Sequence, residues 1–199
     1  MRKKTITQQM IQDATISCVA EIGLENFTTK KAADMMGISE GTIFNNYPNK
    51  AALLVDCLYS IDSEIDATLK AVPFHVSDFS DSIHTMWSAS FKYLITHGDN
   101  ASFYFQFRRS SYYTTEVMQG QNKSFGFFTK FLMIYMKFFK INPDIFWVFM
   151  IETTINFAIR FAHGNLEPTD ENIESVYKLI MNGINGIYHP DGILESPNL

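Results

Sequence analysis

Residues 37–41 read GISEG, a G-x-S-x-G pattern that could expose a nucleophilic serine on a sharp turn. In hydrolases with this pattern a β-strand leads into the turn, and a histidine elsewhere in the chain takes the serine proton. The residues before Gly37 read TTKKAADMM. They are rich in Lys, Ala and Met and begin at a capping Thr28, so they predict a helix and not a strand. Nothing in the sequence places a histidine beside Ser39, and the hydrolase interpretation is disfavoured.

The same segment also fits a turn between two helices. Gly37 would end the first helix, Ile38 would enter the core, and Ser39 would accept hydrogen bonds from the free amides of the next helix. Two helices joined by a short glycine-containing turn form the helix-turn-helix that reads DNA, but an ordinary αα-hairpin has the same geometry. The motif alone therefore leaves both interpretations open.

The elements around this turn are predicted to be helices throughout. Apolar residues recur at helical spacing, and no segment alternates long enough to indicate a strand. We expect an all-α protein of about nine helices, with a helix-turn-helix head in residues 1–50 and a helical body in residues 51–199. The predicted helices cover about 5–22, 28–36, a short stretch after Ser39, 49–71, 78–97, 99–109, a long aromatic helix from the SSYYTT segment to about 140, 142–163 and 169–188.

Composition and cysteine placement narrow the class of protein. The chain has 199 residues, 46% of them hydrophobic, and a formal charge of −5, which is typical of a soluble protein with a sizeable core. Cys18 and Cys57 lie far apart on apolar helical faces, so we expect buried free thiols in a reducing compartment. No export signal and no apolar run of about 18 residues is visible. We expect a cytoplasmic protein with no membrane span, no metal site and no cofactor.

The stretch FTTKKAADMMGISEGTIFNNYPNKAALL resembles the DNA-binding head of the tetracycline-repressor (TetR) family of bacterial regulators. The resemblance covers about residues 5–58. It implies a homodimeric, all-helical repressor whose carboxy-terminal body binds a small-molecule effector and dimerises through its last two long helices. The matching positions are Gly23, Phe27, Thr28, Ala33, Gly37, Ile38, Ser39, Gly41, Thr42, Ile43, Phe44, Tyr47, Lys50 and Leu53.

Within this resemblance the third helix carries the residues that would meet DNA. Ile43 should face inward, and Asn45 is suited to the major-groove edge of adenine. Glu40 could accept from a cytosine amine, although we favour a simple interaction with the helix dipole. Thr28 and Lys50 stand at helix starts, where amides and a charge together suit phosphate. The predicted DNA-binding residues are Thr28, Ser39, Glu40, Gly41, Thr42, Phe44, Asn45, Asn46, Tyr47 and Lys50.

Two positions on and after this helix depart from the family pattern. Phe44 stands where Tyr is usual, so one phosphate-reaching hydroxyl is missing, and Asn46 stands where His is common. Tyr47 could restore a hydroxyl nearby. These departures affect the details of DNA contact. A near-palindromic operator is still expected, because a two-fold dimer presents the same helix twice.

The body carries the candidate effector site. Thirteen phenylalanines fall in residues 103–161, an excess that favours an apolar or aromatic effector. Glu152, Asn156 and Arg160 share one helical face and could line a pocket, pair across a dimer or form a solvated ladder. Arg108 could hold an acidic ligand or only complement a helix dipole. The candidate ligand-binding residues are His84, Trp87, Arg108, Phe127, Glu152 and Asn156.

The apolar stripe of the last predicted helix is the candidate dimer contact. By the family resemblance, two helices from each subunit would form a four-helix bundle. The predicted interface residues are Ile173, Val176, Ile180 and Ile184.

An alternative function is a helical module that carries an apolar ligand without touching DNA. The weak overall basicity of the chain favours this alternative slightly, and the head motif opposes it. The predicted partners are therefore a double-stranded DNA operator, a small-molecule effector and a second copy of the chain.

Overall fold

The computed structural model describes residues 6–75, 78–126 and 142–185, and these residues form nine α-helices and no β-strand. The predicted all-α fold is confirmed. None of the described helices is long and apolar enough to cross a membrane. The helices are α1 (Gln8–Ile22), α2 (Thr29–Met36), α3 (Glu40–Phe44), α4 (Lys50–Lys70), α5 (Phe79–Thr96), α6 (Gly98–Arg108), α7 (Thr115–Ser124), α8 (Pro143–Ala162) and α9 (Asp170–Asn185).

Short polar side chains begin the helices of the head. Thr7 Oγ1 accepts a hydrogen bond from a first-turn amide of α1 at 3.2 Å, and Thr28 and Asn49 do the same for α2 and α4. The predicted caps at Thr28 and Asn49 are confirmed, whereas α1 begins later than the predicted start near Thr5. Gly37 ends α2 with φ 65, a left-handed conformation that glycine adopts at little cost.

In the body, one predicted helix start differs by one residue and one predicted helix end is wrong. α6 begins at Gly98, one residue before the predicted start, and only His97 separates it from α5. A Cβ at this position would lie 2.8 Å from Cβ of Ala162 in α8, so a side chain here would push the two helices apart. α7 ends at Ser124, and no continuous helix runs from the SSYYTT segment to residue 140. The later part of that predicted helix, residues 127–141, lies outside the described residues.

One buried apolar cluster runs through both the head and the body. Phe27 and Ile43 belong to its head side, Phe91 and Phe107 belong to its body side, and none of the four is more than 1% exposed. α4 contributes side chains along the same cluster. Residue 50 therefore lies at the start of a helix that the head and the body share. It does not separate two hydrophobic cores.

The apolar stripe of α9 faces its own chain. Ile173, Val176 and Ile180 are 6%, 4% and 1% exposed and belong to the buried cluster. Because these side chains already pack within their own subunit, they offer little surface to a partner, which weighs against the predicted dimer contact. The side chain of Ile184 lies outside the described residues. On the same helix Leu179 is 63% exposed.

Candidate functional site

The turn between α2 and α3 determines which face of α3 meets solvent. The Ile38 amide donates to the Ala33 carbonyl at 3.0 Å, which closes the turn after Gly37. Ile43 is 0% exposed and fixes α3 to the core of the head. The opposite face of α3 is left open. Its exposed side chains and backbone belong to Gly41, Phe44 and Asn45.

Ser39 stands at the start of α3, but its hydroxyl does not cap the helix. No amide of α3 donates to the Ser39 side chain. The hydroxyl is instead 2.9 Å from Thr42 Oγ1, a pair in which either oxygen can donate. The predicted amide cap is therefore wrong. The hydroxyl partner is also not an imidazole, so this geometry gives no support to a nucleophilic serine.

Glu40 is already engaged inside the head. Thr29 Oγ1 donates a hydrogen bond to Glu40 Oε1, which ties the first turn of α3 to the first turn of α2. The glutamate is half-buried. This bond differs from both roles expected for Glu40, a cytosine contact and a simple dipole interaction. It sets the spacing of the two helices.

The two asparagines after α3 have different surroundings. Asn46 is half-buried, and its Nδ2 donates to the Thr42 carbonyl at 2.9 Å, which satisfies a carbonyl at the end of α3. Asn45 is exposed, and its backbone amide donates to the Gly41 carbonyl. Of these two side chains, that of Asn46 makes a helix-capping hydrogen bond and that of Asn45 does not.

Tyr47 belongs to the core and not to the exposed face. Its side chain is 5% exposed, and the hydroxyl donates to Asp56 Oδ2 at 2.7 Å. Burial is the main cause that raises the pKa of Tyr47, and Asp56 adds to it. The expectation that Tyr47 supplies a DNA-facing hydroxyl is wrong, because this hydroxyl points to a carboxylate of α4.

Thr28 and Lys50 meet at the start of α2. Thr28 is exposed and caps α2 through its hydroxyl. Lys50 Nζ donates to the Phe27 carbonyl at 2.6 Å, so the ammonium lies next to the residue that precedes Thr28. The same ammonium is 5.2 Å from the centre of the Phe27 ring and 5.7 Å from the centre of the Tyr112 ring. The contact with Tyr112 could not be expected from the sequence, because the two residues are far apart along the chain.

Two predicted ligand-binding residues of α5 have partners within the chain. Trp87 is 7% exposed and its Nε1 donates to Thr154 Oγ1 at 3.0 Å. His84 Nε2 is 2.7 Å from Glu174 Oε2. Both contacts join α5 to the last two helices. They are structural contacts within the body.

A buried polar cluster joins α4, α6 and α7, and we call it the Asp62 cluster. Asp62 is 0% exposed and accepts hydrogen bonds from Tyr104 and Gln121, each at 2.9 Å. Arg108 Nη1 donates to the Tyr113 hydroxyl at 2.8 Å. Burial raises the pKa of Asp62 to about 6, while Gln121, Tyr104 and the charge of Arg108 oppose the rise. The members of the cluster are Asp62, Tyr104, Arg108, Tyr113 and Gln121.

One donor of the Asp62 cluster has no acceptor. Arg108 Nε is buried and has no hydrogen-bond partner among the described residues. Of the six predicted ligand-binding residues, Arg108 is thus the one with unused donor capacity in the interior. The sequence analysis missed Asp62, although an acid inside the apolar stretch LVDCLYSIDSEI was a usable signal.

The remaining candidate ligand residues that the structure describes also have partners within the chain. Glu152 forms an ion pair with Arg109. Asn156 Nδ2 donates to the Glu152 carbonyl at 2.8 Å, so its amide is used within α8. Phe127 lies outside the described residues. Arg160, the third residue of the predicted face, is exposed.

An open groove lies elsewhere, between α1 and the junction of α5 with α6. Its volume is about 470 Å³. None of the five predicted ligand-binding residues that the structure describes lines it. The lining is mixed polar and apolar and comprises Asp13, Ile16, Ser17, Ile95, Thr96, His97, Gly98, Asp99, Asn100, Ala162 and His163.

Comparison with known proteins finds a family match for the head. Residues 11–57 match the family model of bacterial regulatory proteins of the tetR family. This span includes α2, the turn and α3, so the resemblance stated from the residues of the head is confirmed. No curated protein matches the chain at a significant level.

Three solved structures share this fold over 89–90% of the chain. A TetR family transcription regulator from Marinobacter aquaeolei has a TM-score of 0.78 at 18% identity, over 89% of this chain and 94% of that one. A tetR family regulator from Shewanella has a TM-score of 0.73 at 16% identity, over 90% and 98%. A fatty acid degradation regulator from Bacillus halodurans has a TM-score of 0.65 at 17% identity, over 89% and 99%. The chain thus combines a head that matches the tetR family model with the overall fold of these regulators.

Proposed function

We propose that this chain is a homodimeric, cytoplasmic transcriptional repressor that leaves a near-palindromic DNA operator when a small apolar or aromatic effector binds its body. One observation supports the proposal above the others. Ile43 fixes α3 to the core while Asn45 and Phe44 remain exposed on the opposite face. A short helix held in this way, after a helix and a tight turn, is suited to the major groove of DNA.

The exposed face of α3 carries the base-reading groups of the proposed site. Asn45 has an amide side chain that can donate to and accept from the major-groove edge of adenine. Phe44 is 46% exposed, so a large part of its apolar surface meets solvent. An apolar contact with a thymine methyl group would cover it.

The start of α2 carries the phosphate-binding groups of the proposed site. The first amides of a helix and its dipole favour an anion. Lys50 adds a full positive charge next to them, since its ammonium is bonded to the carbonyl of Phe27, directly before Thr28. An ammonium has three N–H donors. After the bond to Phe27 it can still donate to a phosphate oxygen.

We infer that the dimer forms through α8 and α9, the helices expected to make the contact, but through a different face of them. Ile145 and Val148 of α8 are 61% and 57% exposed, and Leu179 of α9 is 63% exposed. Ile145 and Val148 are three residues apart and so share one side of α8. α8 and α9 pack closely, since a Cβ at Gly183 would lie 3.3 Å from the Phe149 ring. An exposed apolar surface of this kind is favourable to bury against its own copy.

We infer that the effector binds beside the Asp62 cluster. A buried donor without an acceptor, such as Arg108 Nε, costs about 1–3 kcal/mol. A ligand that brings one acceptor would remove this cost. The adjoining interior is aromatic, with Phe103 and Phe107 each 0% exposed. These features suit an apolar or aromatic molecule with one acceptor group.

Effector binding would favour a dimer conformation in which the two α3 helices no longer match successive major grooves. Gel shift with random genomic fragments at rising salt concentration tests the proposed function. We expect retarded fragments, with an affinity that falls as salt rises, because phosphate contacts release counterions. Absence of any salt-sensitive DNA binding would leave the ligand-carrying module as the better function.

A further inference from the structure

The loop between α6 and α7 brings an aromatic ring of the body to the head. Tyr112 lies in this loop, and the centre of its ring is 5.7 Å from Lys50 Nζ. Phe27 of the head supplies a second ring at 5.2 Å and a carbonyl at 2.6 Å from the same ammonium. Lys50 is therefore held by two groups of the head and one of the body.

The position of Tyr112 is determined by contacts of the body. Arg108 donates to the hydroxyl of the neighbouring Tyr113 at 2.8 Å, and Arg109 forms an ion pair with Glu152 of α8. The Tyr112 amide donates to Ser110 Oγ at 3.2 Å, which fixes the fold of the loop. A change in how this loop is held would move the Tyr112 ring relative to Lys50.

We propose that Tyr112 is a positioning residue for DNA binding, which holds the Lys50 ammonium at the start of α2 where a phosphate would meet it. This inference rests on the proposed function. A free lysine side chain loses much rotamer freedom when it binds a phosphate. An aromatic face within about 6 Å attracts an ammonium and restricts it beforehand. The ring therefore lowers the entropy lost on binding DNA.

The arrangement also connects the body to the head. Tyr113 belongs to the Asp62 cluster, and Tyr112 is the next residue in the same loop. Displacement of the loop would withdraw the ring from Lys50 and leave α3 unchanged. DNA affinity would then fall for every sequence alike, since Lys50 faces the backbone and not a base.

The test compares Tyr112→Leu with Tyr112→Phe, each in the full-length protein and again in a Lys50→Met background. Leucine removes the aromatic face, whereas phenylalanine keeps it. Affinity for a selected operator and for random DNA is measured by fluorescence anisotropy. We expect Tyr112→Leu to weaken both by about two- to fivefold per half-site, in line with a partly exposed cation–aromatic contact. Tyr112→Phe should bind like the wild type, and Tyr112→Leu should cause no further loss beside Lys50→Met.

Three results would overturn the inference while leaving the proposed function intact. Tyr112→Leu could bind as well as the wild type, could bind more tightly, or could weaken binding equally in the Lys50→Met background. The last result would mean that the ring acts through the fold and not through Lys50. A wild-type protein that binds no DNA would overturn the proposed function and this inference together.

A second measurement covers the case in which Tyr112→Leu does not fold. Progressively fluorinated phenylalanines at position 112 keep the shape of the ring and reduce the negative potential on its face. Affinity should fall step by step with fluorination. A flat series would show that the ring does not act on the ammonium and would overturn the inference.

Discussion

Tyr47 and Asp56 form a hydrogen bond inside the head, in which the phenol donates to Asp56 Oδ2 at 2.7 Å. Gln12 Nε2 donates to the same oxygen, also at 2.7 Å. The three side chains join α1, α4 and the segment that follows α3. The Asp56 carboxylate thus accepts hydrogen bonds from α1 and from the segment that follows α3, and the placement of α3 depends on these bonds.

Tyr47→Phe should destabilise the protein without changing its contacts with DNA. Loss of one hydrogen bond to a carboxylate that keeps its second donor should cost about 1.5–3 kcal/mol. Denaturant unfolding would measure the loss. The salt dependence of DNA binding should stay the same. A smaller salt dependence would mean that the hydroxyl meets a phosphate after all.

Ser39→Ala should cost less than removal of a true helix cap. The Ser39 hydroxyl bonds only to Thr42 in the described structure, whereas Asn49 Oδ1 accepts from the Ala52 amide at 2.9 Å. We expect a loss below about 0.5 kcal/mol for Ser39→Ala and about 1 kcal/mol for Asn49→Ala, the matched control. Thermal or denaturant unfolding of both variants measures the two losses of stability. A larger loss at Ser39 would restore its role as a cap.

Asp62→Asn should change how stability depends on pH. Burial raises the folded-state pKa of Asp62 from 3.8 to about 6. The folded protein thus holds a proton that the unfolded chain has released, so the wild type loses stability as pH rises from about 4 to about 6. The full loss is about 3 kcal/mol at about 1.4 kcal/mol per pKa unit. The variant should lack this loss, and parallel pH profiles of the two unfolding free energies would contradict the account.

Leu179→Lys should produce folded monomers. Leu179 is 63% exposed, so the charge is solvated in a single chain and becomes costly only against a partner. Met35→Lys is the matched control, since Met35 is also an exposed apolar residue, at 51%, but lies in α2 of the head. Analytical ultracentrifugation should show monomers for the first variant and dimers for the second.

Ile180→Lys tests the buried face of α9, whereas Leu179→Lys tests its exposed face. Ile180 is 1% exposed, so this change buries a charge without a partner and should unfold the chain. A folded, monomeric Ile180→Lys together with a dimeric Leu179→Lys would show that the interface is the one expected from the sequence.

Asn45 and Lys50 should act differently on DNA. Lys50→Ala should weaken binding to all sequences alike and lower the salt dependence by nearly one unit per subunit, about the value for one lost phosphate contact. Asn45→Ala should cost about 1–3 kcal/mol per half-site on the operator and little elsewhere. Titration of both variants against operator and random DNA measures this. Equal losses on both DNAs for Asn45→Ala would show that it reads no base.

Local features of the head could be predicted from the sequence. The caps at Thr28 and Asn49, the left-handed Gly37 and the buried Ile43 each depend on residues within one or two helical turns. These features can be predicted from the local sequence, because a helix end or an apolar stripe depends only on residues that are near neighbours.

Contacts between distant parts of the chain could not be predicted in this way. Lys50 meets Tyr112, and Asp62 meets Tyr104 and Gln121, across long separations along the chain. The sequence predicts the apolar stripe of α9, but periodicity does not say whether an apolar face packs on its own chain or on a partner. Only the packing of α9 against α5 and α8 decides that.

Selection of bound DNA from a random pool tests directly whether α3 reads bases and whether the start of α2 holds phosphates. We expect enrichment of a near-palindrome with two half-sites about one helical turn or somewhat more apart, with binding that weakens as salt rises. A pool that shows no enriched sequence after repeated rounds, or binding that does not respond to salt, would contradict these roles.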